Sequence, residues 1–422
     1  MATSIDGRVS LPREGTDRDE LRRLMEAAAA DDADWLRRMA VGTNYPAGED
    51  VLEVAKEAYL RFFSTNGLLP DLFPSLARFE REVIDYAASL FHGPDAVGSI
   101  TSGGSESILM GVKSARDRAR RLHPEIDAPE MVVPESAHPA FTKSAHYFGL
   151  RLVSAPLGQD HQIDLDAYRA AISPNTVLLV ASAPSLTLGM VDPIEELAPL
   201  AVERNIGFHV DSCIGGFFLP FAEKLGYPVP RFDFRVPGVT TISADLHKFG
   251  YTAKGASVVM SRDREIFDNQ PFRFGGPVRP DDWYVTPSMT GTRPGGSIAA
   301  AWAVMTYLGE QGYLDRADRT MKYLRRWWDA IEAIDGLEVM GQPHMSVFAV
   351  ASKTLDIYAI GKGMEERGWI VFADSHPVPA LRYMQSPCHE PFVDAYTADL
   401  REVAELVREG RLTSEGGRAR YT

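Results

Sequence analysis

The stretch Ser243-Ala244-Asp245-Leu246-His247-Lys248-Phe249-Gly250-Tyr251 decides how this chain is read. It joins a β-like run over residues 239–243 to a second apolar run over 256–260. A lysine on a short loop between strands is expected to be partly desolvated, which lowers its pKa and leaves a nucleophilic amine. His247, directly before it, can donate to a nearby anion. Upstream, Phe208-His209-Val210-Asp211 ends another strand on a carboxylate, and Thr101-Ser102-Gly103-Gly104-Ser105-Glu106-Ser107 opens a helix on a Gly-rich turn. Taken singly, these are a surface charge, a helix cap and a turn. Taken in this order, they supply what pyridoxal 5′-phosphate (PLP) needs: a grip on its phosphate, a partner for its ring nitrogen and an amine for its aldehyde.

The rest of the chain is consistent with such a site. Its 422 residues suffice for two domains with substantial cores, and 45% hydrophobic and 24% charged residues are ordinary for a soluble globular protein. A net charge of −14 argues against nucleic acid or an anionic membrane as the main partner. Cys213 and Cys388 are the only cysteines, too few for a disulfide framework or a Cys-rich metal site, and no metal is expected. The N-terminus has no apolar signal core, and no run reaches membrane-spanning length, so the reading is a cytoplasmic enzyme without membrane insertion.

Helices are expected from a cap at Thr16-Asp17 to about residue 30, around 35–39, and over 50–64. From residue 79 onward, short apolar runs (97–101, 131–134, 151–155, 177–181, 207–210) alternate with helical patterns. That alternation predicts an α/β fold, a mostly parallel sheet of the seven-stranded type covered on both faces, with ligands at the carboxyl ends of its strands. A long helical region starts at residue 295 with a break near Gly312, and a smaller α+β unit follows. The expected organisation is an N-terminal helical arm (1–60), a large cofactor-binding domain (61–310) and a small C-terminal domain (311–422). The tail after Gly410 is charged and Gly-rich.

Each candidate residue has a role that its chemistry allows. Lys248 would hold the cofactor aldehyde and later act as an acid or base near the reacting carbon. Asp211 would pair with the protonated ring nitrogen and keep the ring electron-poor. Gly103, Gly104 and Ser105 would offer backbone N–H groups and a hydroxyl to the phosphate, helped by the helix dipole. Ser243 and His247 are further phosphate candidates. His138, in Glu135-Ser136-Ala137-His138, would stack on the ring, with a buried structural histidine as the alternative.

These motifs, Thr-Ser-Gly-Gly-Ser-Glu-Ser, Ser-Ala-His, His-Val-Asp-Ser-Cys-Ile-Gly-Gly-Phe and Ala-Asp-Leu-His-Lys-Phe-Gly-Tyr-Thr-Ala-Lys-Gly, resemble the group II PLP-dependent decarboxylase family and, within it, the sphingosine-1-phosphate lyase branch. The likeness runs from about Tyr45 to His389 and includes Phe73-Pro74-Ser75, Lys254 and Thr290-Gly291-Thr292-Arg293-Pro294-Gly295-Gly296. It implies the PLP-dependent transferase fold of type I and a homodimer with shared active sites. Gly296 and Ser297 would then reach the partner subunit's cofactor phosphate, Tyr45 and Lys254 would face an anionic substrate group, and His389 would stand near the site. Two departures bear on the substrate. Leu69, in Asn66-Gly67-Leu68-Leu69-Pro70-Asp71, stands where the branch has a histidine, and Leu381-Arg382 stands where the family tends to Ile-His. A lost cation at one place and a guanidinium at another imply a changed anion site, and a guanidinium suits a carboxylate.

The leading functional expectation is carbon–carbon cleavage of a β-hydroxy amine, phosphorylated or carboxylated, into an aldehyde and a smaller amine by way of Lys248. The alternatives are α-decarboxylation of an amino acid and, in a different class, an inactive PLP-fold binding protein.

Overall fold

The computed structural model describes residues 4–5, 8–9, 11–32, 44–276 and 279–414. The helix expected around 35–39 and the tail beyond residue 414 lie outside the described residues. The chain divides into two units, Met1–Arg38 and Met39–Thr422. In the first, β1 (Ser4–Ile5) pairs antiparallel with β2 (Arg8–Val9), and α1 (Arg18–Ala28) follows. The cap of α1 is Asp17, within the expected stretch: its carboxylate accepts the Asp19 and Glu20 N–H groups.

The second unit is built on a seven-stranded sheet. Its strands are β3 (Val97–Thr101), β4 (Glu130–Pro134), β5 (Arg151–Ala155), β6 (Thr176–Ser182), β7 (Gly207–Asp211), β8 (Thr241–Ala244) and β9 (Ser257–Ser261), in the order β3-β9-β8-β7-β6-β4-β5. Its helices are α2 (Glu49–Phe62), α3 (Pro74–Leu90), α4 (Gly104–Leu122), α5 (Ala140–Phe148), α6 (Leu165–Ala170), α7 (Ile194–Arg204), α8 (Leu219–Lys224), α9 (Arg264–Phe267), α10 (Gly295–Glu332), α11 (Ile357–Glu366) and α12 (Val393–Arg408). The expected mostly parallel sheet is present, and only β9 runs against its neighbours β3 and β8. Strands β6 to β9 are buried along their whole length, which is why they read as apolar runs and not as alternating ones.

The reversal at β9 positions the site. Because β9 leaves from the same sheet edge at which β8 ends, the loop 245–256 stays over that edge. The turn after β3 and the end of β7 open there too, so Gly103, Asp211 and Lys248 are gathered at one end of the sheet.

Beyond the sheet, β10 (Phe272–Gly276) and β11 (Arg279–Thr286) form a hairpin that the sequence reading did not anticipate. A four-stranded antiparallel sheet, β12 (Glu338–Val339), β13 (Val347–Ala351), β14 (Phe372–Asp374) and β15 (Ala380–Met384), has the order β12-β13-β15-β14. Fully buried Trp327 of α10 pins this sheet and α12 together, meeting Phe348, Tyr383 and Tyr396 edge-on. Helix α10 bends at Gly309 (φ 53°, ψ −175°), three residues before the expected break. Helix α2 packs along α10, inside the second unit.

Candidate active site

The β7–β8 register places His209 opposite Thr241 and Asp211 opposite Ser243, so four polar side chains share one face of two adjacent strands. Asp211 is almost fully buried, and its Oδ1 accepts the Cys213 N–H at 3.0 Å and the Ser243 O–H at 3.4 Å. The Ser243 oxygen also takes the Cys213 thiol at 3.3 Å and lies 3.1 Å from His209 Nε2. Ser243 is therefore committed to Asp211 at the strand ends; its expected role as a phosphate contact is corrected, because its hydroxyl is fully enclosed by these partners.

Lys248 lies one turn after Asp245, and its Nζ is 2.8 Å from Asp245 Oδ2. Burial pushes the Lys248 amine down, but Asp245, with Tyr45 and Cys213, outweighs it, and the pKa ends above the ordinary lysine value. The expectation of a lowered pKa is thus overturned: the loop desolvates the lysine, as read, but also hands it a buried carboxylate. Burial alone would raise the Asp245 carboxyl, yet Lys248 and His247 hold it below the usual range. In the sequence the pair is an acid three residues before a lysine.

The turn before α4 faces this pair. A Cβ on Gly104 would lie 2.8 Å from both Asp245 oxygens and 2.9 Å from the Cys213 sulfur, and one on Gly103 (φ +153°) would lie 3.2 Å from His247 Cε1. Only a bare backbone fits there. Helix α4 has no side-chain cap, and Ser105 in its first turn is exposed, so N–H groups at a helix start remain available to an anion. His247 Nδ1 accepts the Ala256 N–H at 3.2 Å, while its Nε2 is 3.7 Å from Asp245. Burial lowers its pKa to about 4, so it is a neutral donor. His138 is likewise kept neutral by burial, and its Nδ1 accepts the Ala140 N–H at 3.1 Å. The charges of Asp211, Lys248, Asp245 and Arg382 all reach it. Lys248, Asp211, His138, His247, Gly103 and Gly104 are therefore brought together as expected.

Asp245 Oδ1 is buried without a hydrogen-bond partner among the described residues. A glycine cradle, an uncapped helix start, an amine with a buried counter-charge and a carboxylate at a strand end together fit PLP: Gly103, Gly104 and Ser105 for its phosphate, Asp211 for its ring nitrogen, Lys248 for its aldehyde.

The expected substrate residues divide. Lys254 Nζ lies 5.0 Å from the Tyr45 ring centroid and donates to the His247 carbonyl at 3.2 Å. Tyr45 is buried, and its hydroxyl reaches Met384 Sδ at 3.5 Å. Ser297 donates to the Lys254 carbonyl at 3.3 Å, at the edge of the site in its own chain. Gly296 faces α2 instead, where a Cβ would lie 2.9 Å from the Tyr59 carbonyl. Leu69 is exposed on the loop between α2 and α3. His389 caps its own turn, its Nδ1 accepting the Ser386 N–H at 3.0 Å. Arg382 is buried on β15, over the Phe372 ring, with Nε 2.8 Å from Asp374 Oδ2. Its charge thus meets a carboxylate of the protein itself, a partner the sequence did not reveal.

Among the described residues no group of three or more His, Cys, Asp or Glu is arranged to hold a metal ion. No described helix is long and apolar enough to cross a membrane.

The pyridoxal-dependent decarboxylase conserved domain matches residues 39–351, and the chain belongs to that family. This bears out the expected cofactor and fold. Within the family it belongs to the sphingosine-1-phosphate lyase-like branch. It is 43% identical over 366 residues to sphingosine-1-phosphate lyase 1 of Rattus norvegicus, covering 85% of this chain and 63% of that protein. It is 40% identical to the sphingosine-1-phosphate lyase of Arabidopsis thaliana, covering 95% of this chain and 74% of that protein. The solved structure of the Burkholderia pseudomallei K96243 sphingosine-1-phosphate lyase superposes with a TM-score of 0.89 at 38% identity, covering 95% of this chain and 94% of that one. The chain thus spans just under two thirds of the rat relative's length.

Proposed function

We propose that the protein is a PLP-dependent carbon–carbon lyase that cleaves a phosphorylated β-hydroxy amine, of the kind named by its relatives, to an aldehyde and a smaller phosphorylated amine. The observation that carries this reading is the convergence of Lys248, Asp211 and His138 with a cationic rim, Lys254 over Tyr45. PLP, when bound, supplies the electron-poor ring that stabilises negative charge on the substrate carbon. Lys248 is the amine that would hold it, and Gly103, Gly104, Ser105 and His247 would hold its phosphate. His138, neutral and fixed by the Ala140 N–H, would stack on the ring. In cleavage the substrate's β-hydroxyl loses its proton, the Cα–Cβ bond breaks, Cβ becomes the aldehyde carbon and Cα takes a proton. Lys248 Nζ, held as an ammonium by Asp245, is suited to deliver that last proton. Lys254 and Tyr45 grip the substrate phosphate, and Leu69 contributes no charge to that grip.

The test is direct. Purified protein should show a visible absorption band that borohydride abolishes, and should release aldehyde from sphingosine-1-phosphate or a shorter phosphorylated β-hydroxy amine. Lys248→Ala turning over at the normal rate would sink the assignment, as would an inert protein. A second reading, α-decarboxylation, is favoured by one observation: the buried Arg382 guanidinium, whose charge reaches His138. CO₂ release from amino acids with no aldehyde would establish it in place of the first.

The proposal includes a homodimer, supported by apolar side chains exposed on α2 and the residues after it (Leu60, Phe63, Leu72). Light scattering in solution reads the mass. A cytoplasmic location is supported by Cys213 and Cys388 both being free thiols.

A further inference from the structure

Three side chains behind Asp211 are used by nothing in the reaction proposed above. His209 is fully buried, with Nδ1 2.9 Å from Thr241 Oγ1 and Nε2 3.1 Å from Ser243 Oγ. Ser243 in turn contacts Asp211 Oδ1. A buried histidine with only hydroxyl partners is costly to place in a sheet, and room for it has been left on the covering helix. A Cβ on Gly111, in the middle of α4, would lie 2.6 Å from His209 Nδ1, so this glycine admits the imidazole. Phe141 closes the other side, edge-on at 5.8 Å between ring centres.

The proton positions follow from what each atom can do. An Asp211 carboxylate only accepts, so the Ser243 hydroxyl donates to it. The Ser243 oxygen must then accept, from the Cys213 thiol and from His209 Nε2. That fixes the hydrogen of neutral His209 on Nε2 and leaves Nδ1 to accept from the Thr241 hydroxyl. Burial keeps the imidazole neutral, with a pKa of about 4. Every donor in the row Thr241–His209–Ser243 therefore points toward Asp211, and aligned donors polarise one another in a low-dielectric interior.

We propose that Thr241, His209 and Ser243 form a donor relay that holds Asp211 as an anion, and so keeps the proton of the Asp211–cofactor contact on the PLP ring nitrogen. His209 and Ser243 are positioning residues: they act through Asp211. The proposal rests on the reading of Asp211 as the ring-nitrogen partner. Without the relay the carboxylate loses a donor that stabilises its negative charge, which weakens both its pairing with the ring nitrogen and the ring's capacity to take up negative charge.

The experiment compares PLP with 1-deazapyridoxal 5′-phosphate, which has carbon in place of the ring nitrogen and cannot use the relay. Full-length protein freed of cofactor is titrated with each, following the visible absorption band. Ser243→Ala should weaken PLP on the order of tenfold or more, the worth of one hydrogen bond to a charged group. Binding of the deaza analogue should change less than about twofold, so that the wild-type preference for PLP collapses. His209→Leu should do the same, and His209→Gln, which keeps an N–H near the Nε2 position, should restore much of the preference. If Ser243→Ala and His209→Leu weaken both cofactors alike, or neither, the relay is wrong. Asp211→Ala separates the two readings. If it collapses the preference and the relay variants do not, only the relay falls. If it leaves the preference intact, the assignment of Asp211 falls with it. Should Ser243→Ala not fold, Gly111→Ala, which displaces His209 from a different element, must reproduce the collapse.

Discussion

Lys248 and Lys254 stand six residues apart on one loop, and their surroundings push them in opposite directions. Lys248 is raised because Asp245 lies within 2.8 Å. For Lys254, burial and Lys248 lower the pKa more than the carboxylate of Asp245 raises it. Much of its side chain meets solvent, but its amine end lies over Tyr45, and burial, then the charge of Lys248, lowers its pKa to about 8. Lys254 is therefore a cation below pH 8 and loses its charge just above. If it grips an anionic substrate, KM should rise as pH passes through 8 with kcat less affected. Lys254→Arg, which stays charged, should remove that inflection. Gly104→Ala places a methyl group 2.8 Å from both Asp245 oxygens and should weaken PLP at least tenfold, read by titration of the cofactor-free protein. Lys248, Asp211 and Gly104 were legible in the sequence because strand ends and a Gly-rich helix start have local signatures. The sign of the Lys248 shift was not, because it depends on where the loop folds Asp245. The partners of Arg382 and Ser243 were hidden for the same reason: Asp374 and Asp211 reach them only through strand pairing.

Elements with a strong local period were read to within a few residues. Strands β3 and β5 fall on their expected residues, since each is a bounded apolar run. The hairpin β10–β11 escaped because glycine, prolines and acids between residues 275 and 282 separate two short strand-prone runs, Phe272-Arg273-Phe274 and Trp283-Tyr284-Val285-Thr286. Strand β15 is short, buried along its whole length and carries Arg382 in its middle, so neither alternation nor an apolar run announced it. The bend in α10 falls at Gly309 and not at Gly312, because Gly309 takes φ 53° and ψ −175°, a conformation open to glycine almost alone. Nothing lies within 4 Å of its missing Cβ, so a substitution there meets backbone strain and no clash. Gly309→Ala should therefore cost about 1–3 kcal/mol, seen as a lower urea midpoint. Gly312→Ala, whose Cβ would meet only the Leu308 side chain at 3.0 Å, should cost less.

At the scale of the whole molecule, stability should depend on pH through groups buried in their neutral forms. His209, His247 and His389 each have a folded-state pKa near 4, with burial as the main cause. Their unfolded value is about 6.5, so between pH 6.5 and 4 the unfolded chain binds more protons than the folded one. Stability from these three is complete above about 6.5 and is lost as pH falls toward 4. Asp192 works the other way. Burial, opposed in part by the Ser182 N–H and assisted by Asp211, raises its carboxyl to about 7. Its contribution is complete below its unfolded value near 4 and is lost as pH rises through 7. Three groups against one set the sign in the acid range: urea midpoints should fall from pH 6.5 to pH 4.5. Asp192→Asn isolates the opposing group, because the amide oxygen can still accept the Ser182 N–H at the position of the present 2.6 Å bond and cannot ionise. In that variant the acid slope should steepen and the midpoint at pH 8 should rise above that of the parent protein. An unchanged midpoint at pH 8 would show that Asp192 is already free to ionise in the folded protein.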